Sequence, residues 1–152
     1  MASVHLYQYF VVDVDDHPVK GGSLSKAKSI TLGDGKTSDA TFEVEASTPT
    51  KIWDAAETLG DFDFLWLEAD FDILIQFTVN AGGTDVYIVK ELKGSGTASQ
   101  MGPALVLGSD ASQLLDGSID SFDGTADTID EIWAYHDGSD SDTVRLRRFV
   151  GT

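Results

Sequence analysis

The chain has 152 residues, enough for one domain with a core of its own, and no cysteine, so neither disulfides nor thiolate metal sites hold it together. Its 26 acidic residues face 10 basic ones, a formal charge of -16. Such a surface repels nucleic-acid phosphates and anionic membranes and leaves basic surfaces, cations or locally reached neutral groups as partners.

No apolar run approaches the about 18 residues that span a bilayer, so no membrane partner is expected. The opening Met1-Ala2-Ser3-Val4-His5 lacks a basic stretch followed by an apolar one, so a protein made and kept in a cytoplasm is expected.

Period-two alternation bounded by turn residues dominates the chain. Residues 4–14 read as a long strand or extended arm, ended by Asp15-Asp16-His17-Pro18. Lys20-Gly21-Gly22-Ser23 reads as a loop and 26–32 as a weak strand. Residues 41–46 alternate with Phe42 and Val44 on one face, and a turn at Pro49 leads into a strand over 50–54. Residues 55–60 suit one helical turn or a loop.

In 61–68 the alternation groups Phe62, Phe64 and Trp66, which places Trp66 in the core. Residues 71–79 alternate in the opposite parity, so a turn or bulge is expected near 68–70. Asn80-Ala81-Gly82-Gly83 is a hairpin turn joining 71–80 to 84–92. A glycine-serine loop over 93–99 precedes a short strand at 104–107, and 108–128 read as a long loop with a short strand near Ile119. Residues 129–136 and 143–150 form the last two strands, read as a hairpin around 137–142, with Val144 and Leu146 inward and Arg145 and Arg147 outward.

Eight to ten strands without a long helix predict an all-β fold. An antiparallel β-sandwich follows, an eight-stranded jelly roll with an immunoglobulin-like sandwich as the alternative. The whole of 1–152 is expected to be one domain, with residues 1–25 holding an extended N-terminal arm.

Little in the sequence suits catalysis. The three histidines, His5, His17 and His136, sit in unrelated settings, and there is no Gly-x-Ser-x-Gly elbow. The glycine pairs lie in hairpin-like settings rather than between a strand and a helix, where they would cradle phosphate. Asp61, Asp63, Glu68, Asp70 and Asp72 could pair for glycoside chemistry, but Asp61 and Asp63 alternate with aromatics, which reads as a solvated strand face. The segments 137–142 and 120–123 carry calcium-type oxygens, yet Asp and Gly are also plain turn formers, which is the preferred reading. No catalytic residue, metal or cofactor is therefore assigned, and an enzyme is not expected.

Trp133 and Tyr135 share a strand face. Core or subunit interface is favoured for them over a sugar platform. Arg145, Arg147 and Arg148 are the basic cluster of an acidic chain. They are read either as cross-strand partners of Asp130 or Glu131 or as a contact to an acidic neighbour.

The layout resembles the small jelly-roll proteins of tailed-phage virions, above all capsid decoration (cement) proteins. The features that carry it are the arm-like start over 1–14, the central strands over 62–68 and 71–79, the Gly102-Pro103 step into Leu105-Val106-Leu107, and the last two strands with only Gly151-Thr152 beyond. The resemblance implies a homotrimer on a major capsid protein at the surface of a virion, made in the host cytoplasm, without catalytic residues. Tyr7, Tyr9, Phe10 and Trp133, with Arg145 and Arg147, are the expected contact residues, and the arm would act by strand addition. The alternative is a carbohydrate-binding module or adhesin-type domain. It would use Trp133 or Trp53 as a stacking platform and an Asp-rich loop for calcium.

Overall fold

A computed structural model describes the backbone of residues 2–14, 17–32, 34–57, 62–81, 83–107 and 129–152, and their side chains from Leu32 onward apart from Ala81. Ten strands occur among the described residues, and no helix. They are β1 (Ala2–Val14), β2 (His17–Leu32), β3 (Thr37–Glu45), β4 (Thr50–Asp54), β5 (Phe64–Ala69), β6 (Ile73–Ala81), β7 (Thr84–Leu92), β8 (Leu105–Leu107), β9 (Ile129–Tyr135) and β10 (Thr143–Gly151). The strand expected near Ile119, Asp61 and the 120–123 segment lie outside the described residues.

Eight strands form two antiparallel four-stranded sheets that enclose one core, a β-sandwich as the alternation predicts. The first sheet has the order β3-β10-β5-β8, the second β4-β9-β6-β7. The pairings nest. β6 and β7 form the inner hairpin, β5 pairs with β8, β4 with β9, and β3 with β10. Each outer pair thus embraces the one before it, while β10–β5 and β6–β9 ladders complete the sheets.

The core follows from the period of two. Ile73, Ile75, Phe77 and Val79 of β6 point inward, as expected, to meet Ile132 and Ala134 of β9 and Val144, Leu146 and Val150 of β10. On β5 the parity differs from expectation. Leu65, Leu67 and Ala69 are buried in the core, and Trp66 is half-buried on the other face. Both parities of Phe64-Leu65-Trp66-Leu67 are apolar, so alternation alone could not choose between them. Phe64 is nevertheless buried on that other side, its ring edge-on to Phe149 at 6.1 Å.

Two further expectations are corrected. Residues 4–14 lie in one long strand, β1, as expected, but it pairs antiparallel with β2, so 20–23, expected as a loop, lie within a strand, with Gly22 opposite Tyr9 and Gly21 opposite Phe10. The ribbon is a two-stranded sheet of its own. And β9 and β10 are not a hairpin, because 137–142 carry the chain from the second sheet to the first. Of the 55–60 segment, 55–57 form a turn.

The segment after β7 is pinned to the turn between β5 and β6. Asp70 is 2% exposed; its Oδ1 accepts the N–H of Arg145 at 2.9 Å and its Oδ2 that of Ser99 at 3.0 Å. Its own carbonyl accepts the N–H of Gly96, and the Ala69 carbonyl accepts that of Gly102. The backbones approach so closely that a Cβ on Gly94 would lie 2.3 Å from the Phe71 backbone.

Candidate functional site

The outer face of the second sheet is where the sequence leaves apolar side chains in water. On β6, Leu74, Gln76 and Thr78 point away from the core; on β7, Tyr87, Val89 and Glu91; on β9, Glu131, Trp133 and Tyr135. The ladders align these as three cross-strand rows: Tyr135-Leu74-Glu91, Trp133-Gln76-Val89 and Glu131-Thr78-Tyr87. Leu74 is 41% exposed, Val89 54% and Tyr87 62%. Pro49, Leu74, Tyr135 and the Trp133-Gln76-Val89 row line a shallow cleft of about 270 Å³.

Trp133 is held in place rather than free to swing. Its Nε1 donates to Glu131 Oε2 at 2.9 Å, and the Lys51 ammonium stands 5.3 Å from its ring centroid. Lys51 Nζ in turn donates to Glu131 Oε1 at 2.9 Å and to Asp54 Oδ2 at 2.6 Å. The Trp133 N–H, then Lys51, hold the Glu131 carboxyl below its ordinary value; Asp54 and Glu131 raise Lys51. Next to the cleft, Asp72 accepts from Lys93 Nζ at 2.6 Å and from the Gly94 N–H at 2.9 Å, which lowers its carboxyl.

The structure scatters the remaining sequence candidates. Tyr7, Tyr9 and Phe10 lie on β1, and their side chains are outside the described residues. Arg145 and Arg147 lie on the outer face of the first sheet, across the sandwich from Trp133. They do not pair with Asp130 or Glu131, which belong to the second sheet. Arg147 instead grips Asp39 through Nε at 3.1 Å and Nη2 at 2.8 Å and reaches Glu68 at 3.3 Å, while Arg145 Nη1 donates to Ser99 Oγ at 3.2 Å.

Trp53 is 1% exposed and edge-on to Phe62, so it offers no stacking platform. His136 is buried, its Nε2 donating to the Val44 carbonyl at 2.8 Å. Of the candidate carboxylates, Glu68 pairs with Arg147, Asp72 with Lys93, and Asp70 anchors backbone. In the 137–142 segment Asp137 accepts the N–H of Ser139 two residues on, a turn contact that lowers its carboxyl. Among the described residues no three His, Cys, Asp or Glu side chains come together to hold a metal ion.

Sequence reasoning named Trp133 and Tyr135 but missed Leu74, Tyr87 and Val89. Their signal was present: β7 carries apolar residues in both parities, Val86 and Ile88 as well as Tyr87 and Val89, and a strand with one face in water should not. Comparison with protein-family models, characterised protein sequences and solved structures gives no match.

Proposed function

We propose that this chain is a non-catalytic virion structural protein, a capsid decoration protein that oligomerises and clamps neighbouring capsid subunits. The observation that carries this reading is the outer face of the second sheet, where Leu74, Tyr87, Val89, Trp133 and Tyr135 stand in adjoining rows. Single exposed apolar residues are ordinary, but contiguous ones mark surfaces that become buried against a partner.

The β1–β2 ribbon supports the same reading. An isolated two-stranded ribbon is marginal in water, and among the described residues this one joins neither four-stranded sheet. A second copy of the chain or a major capsid protein would give it a surface, with Tyr7, Tyr9 and Phe10 as its contact residues. Arg147 is already engaged by two carboxylates, so Arg145 is the better candidate for a contact from the first sheet.

The nested pairings and the two strand orders support a jelly-roll reading of the sandwich, an architecture shared by viral capsid and lectin domains. That likeness is of fold alone and assigns no function by itself.

The test is light scattering on the purified protein, followed by its binding to phage heads lacking a decoration protein. A trimer, or a monomer that assembles on the heads, is expected. Trp133→Ala with Val89→Asp should abolish head binding without changing the melting temperature by more than a few degrees. A monomer that ignores the heads overturns the proposal.

One observation favours a second reading, a carbohydrate-binding module. The cleft combines two aromatic rings, Trp133 and Tyr135, with the Gln76 amide and lies beside the acidic side chains of Asp72 and Glu91. A sugar ring could stack there and hydrogen-bond at its edge. Tryptophan fluorescence during glycan titration, with and without calcium, decides it; an unchanged spectrum with every glycan removes this reading.

A further inference from the structure

Beyond the aromatic rows, the same sheet face ends in a hollow of about 370 Å³ whose wall includes Asp54, Thr78, Asp85, Tyr87, Asp130 and Glu131. Four of these are carboxylates, and Lys51 bonds to two of them, Asp54 and Glu131. The wall of the hollow is therefore predominantly acidic.

Acidic side chains on an acidic protein would mean little alone. Thr78 adds an independent feature. It lines the hollow, is 5% exposed, and its buried Oγ1 has no hydrogen-bond partner among the described residues. A buried hydroxyl left unpaired is costly, so an incoming donor would be favoured there. Tyr87, 62% exposed, adds an aromatic ring to the same wall.

These features select a kind of cation. Among the described residues the carboxylates do not converge as metal ligands do. They are spread around a space larger than an ion, beside an aromatic face and an unpaired acceptor. A guanidinium or an alkylammonium fits that arrangement. It presents several N–H donors in different directions, it is attracted to an aromatic face, and guanidinium in particular gives up its water easily.

We infer that this hollow is a subsite for an arginine or lysine side chain of a basic partner segment laid across the outer face of the second sheet. The segment's apolar side chains would cover the rows of Trp133 and Val89 while its cation enters between Asp85, Thr78 and Tyr87. The chain's charge of -16 would steer such a segment toward it. The inference rests on the docking reading in sharing its face, and it adds the chemistry of what docks.

The experiment is calorimetric titration of the full chain at low salt with the peptide acetyl-Gly-Arg-Gly-Arg-Gly-amide. Controls are the same peptide with citrulline for arginine, and calcium chloride alone. The arginine peptide is expected to bind, with the citrulline peptide at least tenfold weaker. Asp85→Asn and Thr78→Val should each weaken binding several-fold at an unchanged melting temperature, and Thr78→Ser should restore it. Equal binding of the two peptides, no binding of either, or displacement of the arginine peptide by calcium at these residues would overturn the subsite. Loss of the subsite with head binding still dependent on Trp133 leaves the docking reading standing. Peptide binding without any head binding sinks the decoration reading and leaves the subsite.

Discussion

Asp70 and Arg148 are both charged, both buried, and opposite in what they do for the fold. Asp70 accepts two backbone N–H groups on separate oxygens, one from β10 and one from the loop at Ser99. Asp70→Ala would leave both donors without an acceptor and is expected to cost about 3 kcal/mol, read as a shift in the urea midpoint. Asp72→Ala removes contacts at a more exposed carboxylate and should cost less.

Arg148 points inward on β10 with its guanidinium 5.3 Å from the Phe42 ring and 5.5 Å from the Trp53 ring. It donates to the Ile52 carbonyl and to Ser38 Oγ, and its Nε has no partner among the described residues. Burial pushes its guanidinium below the ordinary value. A buried cation carries a desolvation penalty that an apolar side chain of similar length avoids. Arg148→Met is therefore expected to lie within about 1 kcal/mol of the natural protein or above it, whereas Arg148→Ala, which also loses the ring contacts, should fall by about 2–3 kcal/mol. Equal losses in both variants would show that the charge itself matters. The sequence placed Val144 and Leu146 inward correctly. It could not reveal that Arg148 continues that face, because an arginine in alternation looks like a solvent-facing residue.

At the scale of elements, the segment from Lys93 to Gly102 shows how composition misleads. Gly, Ser and Thr in succession read as a loose loop, yet this stretch is packed on the Asp70–Asp72 turn. Gly94→Ala would drive a Cβ to 2.3 Å from backbone atoms of Phe71, and thermal unfolding should show a loss of about 3 kcal/mol. Gly96 has a φ of +74° but open space around it, so Gly96→Ala should cost only about 1 kcal/mol of backbone strain. Reversal of that order would mean the loop is not held where it is described.

The β6–β7 hairpin was legible because Asn80 to Gly83 is strong turn chemistry between two alternating runs; the Asn80 side chain indeed accepts the Gly83 N–H at 2.9 Å. The crossing from β9 to β10 was not. A six-residue polar link between two strands suits a hairpin equally well, and only the competition of β3 and β5 for the edges of β10 decides against it. The apolar outer face of the second sheet was half legible for the same reason: neighbours on β6 and β7 complete it, and adjacency between strands is set by the whole sandwich.

For the whole molecule, charge sets the response to pH and salt. Asp39, Asp54, Asp72, Glu131 and Asp137 are all held below their ordinary values by hydrogen bonds and neighbouring cations or N–H groups. A depressed carboxylate contributes stability that is complete above its ordinary value, 3.8 for the aspartates and 4.5 for Glu131, and is lost as pH falls through the lower folded value. Thermal stability should therefore fall as pH is lowered from 5 toward 2. At neutral pH the charge of -16 opposes compaction, so moderate salt should raise the melting temperature by screening it. A fall with added salt would mean that the exposed pairs outweigh the repulsion.

The nesting of strand pairs has a consequence for how the chain is made. β10 lies between β3 and β5 in the first sheet, with Thr37 opposite Gly151, so that sheet stays open along its middle until β10 has left the ribosome. Such distant partners close slowly. During synthesis the β1–β2 ribbon and the β6–β7 hairpin can form from neighbours in sequence, and the other strands must wait, their apolar side chains exposed. A chain broken off just before β10 would offer two unfilled edges at once, and cellular proteases and chaperones would meet it as an unfinished sheet.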